Sequence, residues 1–133
     1  MTGPIDVQQA MPFAGLIGIE TLAVGPDEVR LRLPWSAAHC TSAGIMHGGA
    51  LMSLADTAGG ALAFLNLPEG ATGTTTTDSG TRFLGAVRDG YAEAVARVVH
   101  KGRSLIVIDT EIRDAGGRLV ARTTQAQLVL TPR

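Results

Sequence analysis

The stretch that decides the fold runs from Gly44 to Gly60, "GIMHGGALMSLADTAGG". Five glycines, one histidine and one aspartate sit in an otherwise small and largely apolar run. Its Ala- and Leu-rich composition predicts one long helix from about Gly48 to about Leu67, stopped by Pro68 and Gly70. Glycine inside a helix costs about 1 kcal/mol against alanine, so the pairs Gly48-Gly49 and Gly59-Gly60 need a reason. A helix that is apolar almost all round must be buried on most sides, and a lone acid, Asp56, in its middle is then out of place.

Outward from the helix, the pattern changes to strands. Toward the C-terminus the expected strands cover about 73–83, 91–100, 104–113 and 118–130. Alternation sets Ala92, Ala94 and Ala96 on one face and Tyr91, Glu93, Val95 and Arg97 on the other. Asp114-Ala115-Gly116-Gly117 and Lys101-Gly102 read as tight connections. Toward the N-terminus, Leu16 to Val24 suits a strand, Gly25 to Glu28 a turn, and Val29 to Leu33 a half-buried strand ended by Pro34. Residues 35–46 read as a loop, Asp6 as the cap of a short helix through about Phe13, and the residues to about Pro4 as a frayed end. The simplest architecture is α+β, a curved antiparallel sheet wrapped around the long helix, in one domain over residues 1–133. Gly59 and Gly60 would then give room for close packing.

Composition narrows the function. Hydrophobic residues make up 45%, enough for a core without disulfides, and a single Cys40 excludes an internal disulfide framework. Eleven Lys+Arg face 12 Asp+Glu, so charge gives no reason to expect nucleic acid or an anionic membrane as partner. The first residues lack a basic region with a long apolar core, and no apolar run suits a membrane span. The expected setting is the cytoplasm. His39, Cys40 and His47 lack zinc-ligand spacing, and no Walker or Rossmann glycine pattern occurs.

Gly48 and Gly49 fall at the helix start, where the first N–H groups have no intrahelical partner and the dipole is positive. Such donors suit a developing negative charge, as in a backbone oxyanion site. Asp56 lies eight residues further on, roughly 12 Å along the axis. A carboxylate and an oxyanion donor must both come within about 3 Å of one reacting centre. One helix cannot do this, but two antiparallel copies can. A catalytic reading therefore predicts a symmetric dimer with two composite sites. For His47 the plainer role is a bond to local backbone. Thr74 to Thr77 suit a strand by propensity alone, while Thr75 and Thr77, sharing a face, could hold a water. Gly102-Arg103-Ser104 and Arg82 could bind phosphates, though turn and surface roles are commoner for such residues.

"HGGALMSLADTAGG" resembles the signature of the hotdog-fold acyl-CoA thioesterases, in the subgroup of the phenylacetate-pathway enzymes. The resemblance continues through "GATGTTTTDSGTRFLGAVRDG" and "ARVVHKGRSLIVIDTEIRDAGGRLVARTTQAQLVL". It implies the hotdog fold and thioester hydrolysis of a small aryl- or medium-chain acyl-CoA between two protomers, in dimers that pair into tetramers. No cofactor is implied, coenzyme A being part of the substrate. By position, Gly48 would offer its N–H to the thioester carbonyl and Asp56 would act as nucleophile or general base. Gly49 would share the helix-start site, Thr75 would help hold the water, and His47 would shape the loop. Arg103, with Lys101 and Ser104, falls where relatives contact the CoA phosphates. An acyl tunnel would lie near Leu51, Leu54 and Leu62. Relatives often carry asparagine where this chain has Thr41, which bears on water positioning or substrate preference. Two other readings keep the fold, a non-catalytic acyl-CoA binder and an enoyl-CoA hydratase.

Overall fold

A computed structural model describes residues 5–133; the first residues to Pro4, read above as a frayed end, lie outside them. Six antiparallel strands form one sheet in the order β1-β2-β4-β5-β6-β3. They are β1 Glu20–Val24, β2 Glu28–Pro34, β3 Gly73–Phe83, β4 Tyr91–Lys101, β5 Leu105–Asp114 and β6 Leu119–Leu130. The long helix, Gly48–Phe64, follows two short ones at Val7–Ala10 and Pro12–Ile17; these are α3, α1 and α2.

The sheet wraps α3 as expected from the alternation. Ala92, Ala94 and Ala96 of β4 are fully buried, with Leu31 and Leu33 of β2 and Ile106, Ile108 and Ile112 of β5. They meet Leu54, Ala55, Ala58 and Leu62 of the helix in one core. Three small alanines on one strand face let the helix lie close to the sheet, and burying the Leu and Ile side chains supplies about 1.5–3 kcal/mol each. The opposite face of the sheet carries charge pairs. Glu28 binds Arg30 at 2.7 Å, Arg32 binds Glu93 at 2.9 Å, and Arg32 also stacks over Tyr91.

Three expectations change. Leu16 and Ile17 belong to α2 and not to a strand. Pro12 sits in the first turn, where its missing N–H costs nothing, and Gly18 closes the helix at φ 85° with its N–H on Ala14. The first strand therefore begins at Glu20. Helix α3 ends at Phe64, short of Leu67. Buried Asn66 donates from Nδ2 to the Leu62 carbonyl at 2.9 Å and to the Pro26 carbonyl at 2.8 Å, capping the helix and tying it to the β1–β2 turn. Within residues 35–46, Ala37–His39 form a 3-10 turn and Cys40 bridges Met46.

Candidate active site

Asp56 lies on the side of α3 that the sheet leaves open, and is exposed while Ala55, Thr57 and Ala58 around it are buried. Two donors hold one of its oxygens. Thr76 Oγ1 and Gln125 Nε2 each donate to Oδ1 at 3.1 Å. Gln127 Nε2 in turn donates to Thr76 Oγ1 at 2.6 Å. Among the described residues no donor engages Oδ2. Helix hydroxyls nearby are satisfied within the helix, Ser53 on Gly49 and Thr57 on Ser53.

The threonine at Asp56 is set by a bulge. Thr76 pairs with Gln127 and Asp78 with Ala126, so Thr77 is an extra residue. Thr76 consequently faces inward with Gln127. Thr75 pairs with Leu128, which is 41% exposed, and so points to the outer face. The hydroxyl on Asp56 thus comes from Thr76, and Thr75 borders the same cavity from one residue away.

That cavity, of about 730 Å³, opens beside Asp56. Met11, Phe13, Ala14, Gly60, Ala61 and Phe64 form its apolar wall. Leu51, Leu54 and Leu62, expected near an acyl tunnel, are buried in the core between helix and sheet instead. The two later glycines also differ from one another. A Cβ on Gly59 would fall 2.0 Å from Gln125 Oε1, whereas one on Gly60 would meet nothing among the described residues within 4 Å. The close approach at Gly59 is therefore made by a side chain of the same chain.

At the helix start, His47 is the N-cap, and its Nδ1 accepts the Gly49 N–H at 2.7 Å. The Gly48 N–H has no partner among the described residues. A Cβ on Gly48 would lie 3.0 Å from the Phe83 ring, so glycine here also seats that aromatic. Thr41 is exposed and its hydroxyl accepts from Ala43 N at 3.4 Å, within its own turn. Lys101, Arg103 and Ser104 are exposed on the β4–β5 connection. Leu105 pairs with Leu128 and Leu128 with Thr75. The basic turn is thus two strands, roughly 10 Å, from the β3 segment at Asp56. The structure brings together Asp56 and the threonine tract, and sets Gly48, Gly49 and His47 apart at the helix start. Gln125 and Gln127 escaped the sequence reading. Their signal was two amides two residues apart on the core-facing side of a strand.

No group of three or more His, Cys, Asp and Glu among the described residues is placed to hold a metal. No helix among the described residues is long and apolar enough to cross a membrane.

Known proteins are similar to this chain over most of its length. The sequence profile described as the Thioesterase superfamily matches residues 43–121, more than half of the chain. A Deinococcus radiodurans protein provisionally named an esterase is 30% identical over 119 residues, covering 89% of this chain and 74% of that protein. The thioesterase HI1161 of Haemophilus influenzae superposes with a TM-score of 0.86 at 27% identity, covering 93% of this chain and 87% of that one. The PaaI protein of the phenylacetic acid degradation operon of E. coli shares the fold, with a TM-score of 0.83 at 22% identity over 92% and 87% of the two chains. A six-stranded antiparallel sheet around one long helix is the hotdog architecture, and this chain belongs to the thioesterase superfamily.

Proposed function

We propose that this protein hydrolyses the thioester of a small aryl- or medium-chain acyl-CoA to the free acid and CoA, as in the phenylacetate-pathway subgroup. The observation that carries the reading is Asp56. It is a carboxylate at the rim of an apolar cavity, with Oδ1 tethered by two donors and Oδ2 unengaged. A tethered carboxylate with one free oxygen is suited to attack a carbonyl or to take a proton from water.

The site is completed by a second copy of the chain. The Gly48 N–H of the partner subunit polarises the thioester carbonyl and receives the oxyanion, while Asp56 acts as nucleophile or as general base. Two features support a partner on this side. Asp56 and Met52 leave one side of α3 exposed, Met52 by 41%. Strand β3 is one edge of the sheet, eleven residues long and, among the described residues, paired only with β6; an edge of that length invites another strand. Dimers then pair into tetramers. The acyl group occupies the cavity walled by Met11, Phe13 and Phe64, and Arg103, Lys101 and Ser104 meet the CoA phosphates. The reaction needs water and no cofactor, and the proposed setting is the cytoplasm, which a single thiol suits.

The test is CoA release from phenylacetyl-CoA and octanoyl-CoA. Asp56→Asn is expected to abolish turnover while light scattering still gives the parental oligomer. Parental rates in that variant would refute the role of Asp56. A single turnover in heavy-oxygen water bears on the two mechanisms. Label in the Asp56 carboxylate identifies a mixed anhydride that water opens at the Asp56 carboxyl carbon. Label in the product acid alone is the outcome for a general base, or for an anhydride opened at the acyl carbon.

A further inference from the structure

We infer that Gln125 and Gln127 are positioning residues for the hydrolase, fixing which oxygen of Asp56 meets the substrate, and that Gly59 is the opening through which Gln125 reaches it. The inference rests on the reading of Asp56 given under Proposed function.

The chemistry of the donors gives the chain of bonds a single polarity. Gln127 Nε2 can only donate, so Thr76 Oγ1 accepts there at 2.6 Å and directs its own hydrogen to Asp56 Oδ1 at 3.1 Å. Reversing the Gln127 amide would take the Thr76 hydrogen away and set its lone pair against the carboxylate. Gln125 Nε2 reaches the same Oδ1 at 3.1 Å; reversing it would put Oε1 against Oδ1. All three contacts are attractive in one arrangement only, and it converges two donors on Oδ1. The carboxylate therefore cannot spin, and Oδ2 stays pointed away from the network.

Stability does not explain Gln125. Its side chain is fully buried, and its Oε1 has no hydrogen-bond partner among the described residues. A buried acceptor without a donor is a net cost, and an apolar side chain of similar volume would avoid it. The neighbouring helix is shaped to accept this cost. A Cβ at residue 59 would sit 2.0 Å from Oε1 and 2.5 Å from the amide carbon of Gln125. Alanine would suit a helix better at this position, yet alanine would push Gln125 off Asp56.

The experiment uses the full chain and phenylacetyl-CoA, with kcat, KM and the melting temperature read for each variant. Gln125→Met is expected to lower kcat roughly ten- to a hundredfold, with KM changed less than about twofold and a melting temperature at or above the parent's. Gly59→Ala is expected to lower kcat comparably. Gly59→Ala placed in a Gln125→Ala background should add no further loss, to within about twofold, because the displaced side chain is gone. Gln125→Asn, one methylene too short to span the gap, is the second variant if the methionine protein does not fold, and should also lose kcat. Parental kcat in Gln125→Met or in Gln125→Asn overturns the inference, and so does a Gly59→Ala loss that persists in full without Gln125. Asp56→Asn separates the two levels. If it is inactive while Gln125→Met is unimpaired, the positioning role alone falls; if it is fully active, both readings fall.

Discussion

His47 Nδ1 accepts the Gly49 N–H at 2.7 Å, and this one bond divides the two glycines of the helix start. The ring consumes the second donor and leaves the first, at Gly48, without a partner among the described residues. An acceptor at Nδ1 also requires the ring proton to sit on Nε2. The imidazole is thereby a helix cap. His47→Ala is expected to cost about 1 kcal/mol of stability and a few degrees of melting temperature. His47→Asn, which can cap, should recover most of the loss. Urea unfolding of the three proteins checks it, and an alanine variant with the parental midpoint would show that the cap contributes nothing.

Asn66 holds the other end of the helix. Its Nδ2 serves Leu62 and Pro26 together, and the residue is 6% exposed. Asn66→Ala removes both donors and leaves the buried Leu62 carbonyl without this partner. A loss of about 1–3 kcal/mol is expected, read as a lower urea midpoint with an unchanged slope. Asn66→Asp should be no better, since a carboxylate has no hydrogen to offer either carbonyl.

Acid should weaken the outer face of the sheet. Partial burial pushes the Asp109 carboxyl up, but hydrogen bonds from Arg122 and Thr124 outweigh it and hold the group below its ordinary value. Hydrogen bonding from Arg30 likewise lowers Glu28; burial pushes it the other way, and the charge of Arg30 and the hydrogen bond and charge of Arg97 add to the lowering. A carboxyl lowered in the folded state binds fewer protons there than in the unfolded chain. Its stabilisation is complete above the ordinary carboxylate range, about pH 4, and is lost as pH falls through the lowered values. Melting temperature should therefore decline below about pH 4, less steeply in Asp109→Asn and less steeply in high salt. Equal slopes in parent and variant would contradict the assignment.

The cavity beside Asp56 makes a prediction about acyl size. A side chain at residue 60 meets no atom of the described residues within 4 Å of its Cβ and enters the cavity wall. Gly60→Leu should fold at least as well as the parent, since leucine is a better helix former by roughly 0.5–1 kcal/mol. It should lower kcat/KM for octanoyl-CoA roughly tenfold or more, and for acetyl-CoA by much less. An equal loss on both substrates would place the acyl group elsewhere.

Much of this architecture was legible before any coordinates. Strand β3 spans the same residues as its sequence signal, and Ala92, Ala94 and Ala96 face the core as their alternation requires. What escaped depended on contacts between distant segments. Leu16-Ile17 carried a strand-like composition, but Pro12 and Gly18 frame a helical turn around them. Asn66 ends α3 by reaching back to a turn forty residues earlier. Asp56 stood out as an acid among small apolar residues, yet its glutamine partner lies 69 residues away, where alternation marks only a core position. Local pattern specifies which face a residue takes, and says nothing of what will stand opposite.

The bulge at Thr77 has a further consequence for the threonine tract. Strand parity decides which residue faces Gln127 and Asp56, and one extra residue reverses that parity. In a mixed sequence, sliding the bulge by one position would exchange the hydroxyl for whatever side chain came next. Here Thr74 to Thr77 are alike, so a bulge at Thr76 would present Thr77 in place of Thr76 and keep a hydroxyl at the carboxylate. Repetition makes the site tolerant of error in its own alignment, a form of redundancy written into four identical letters.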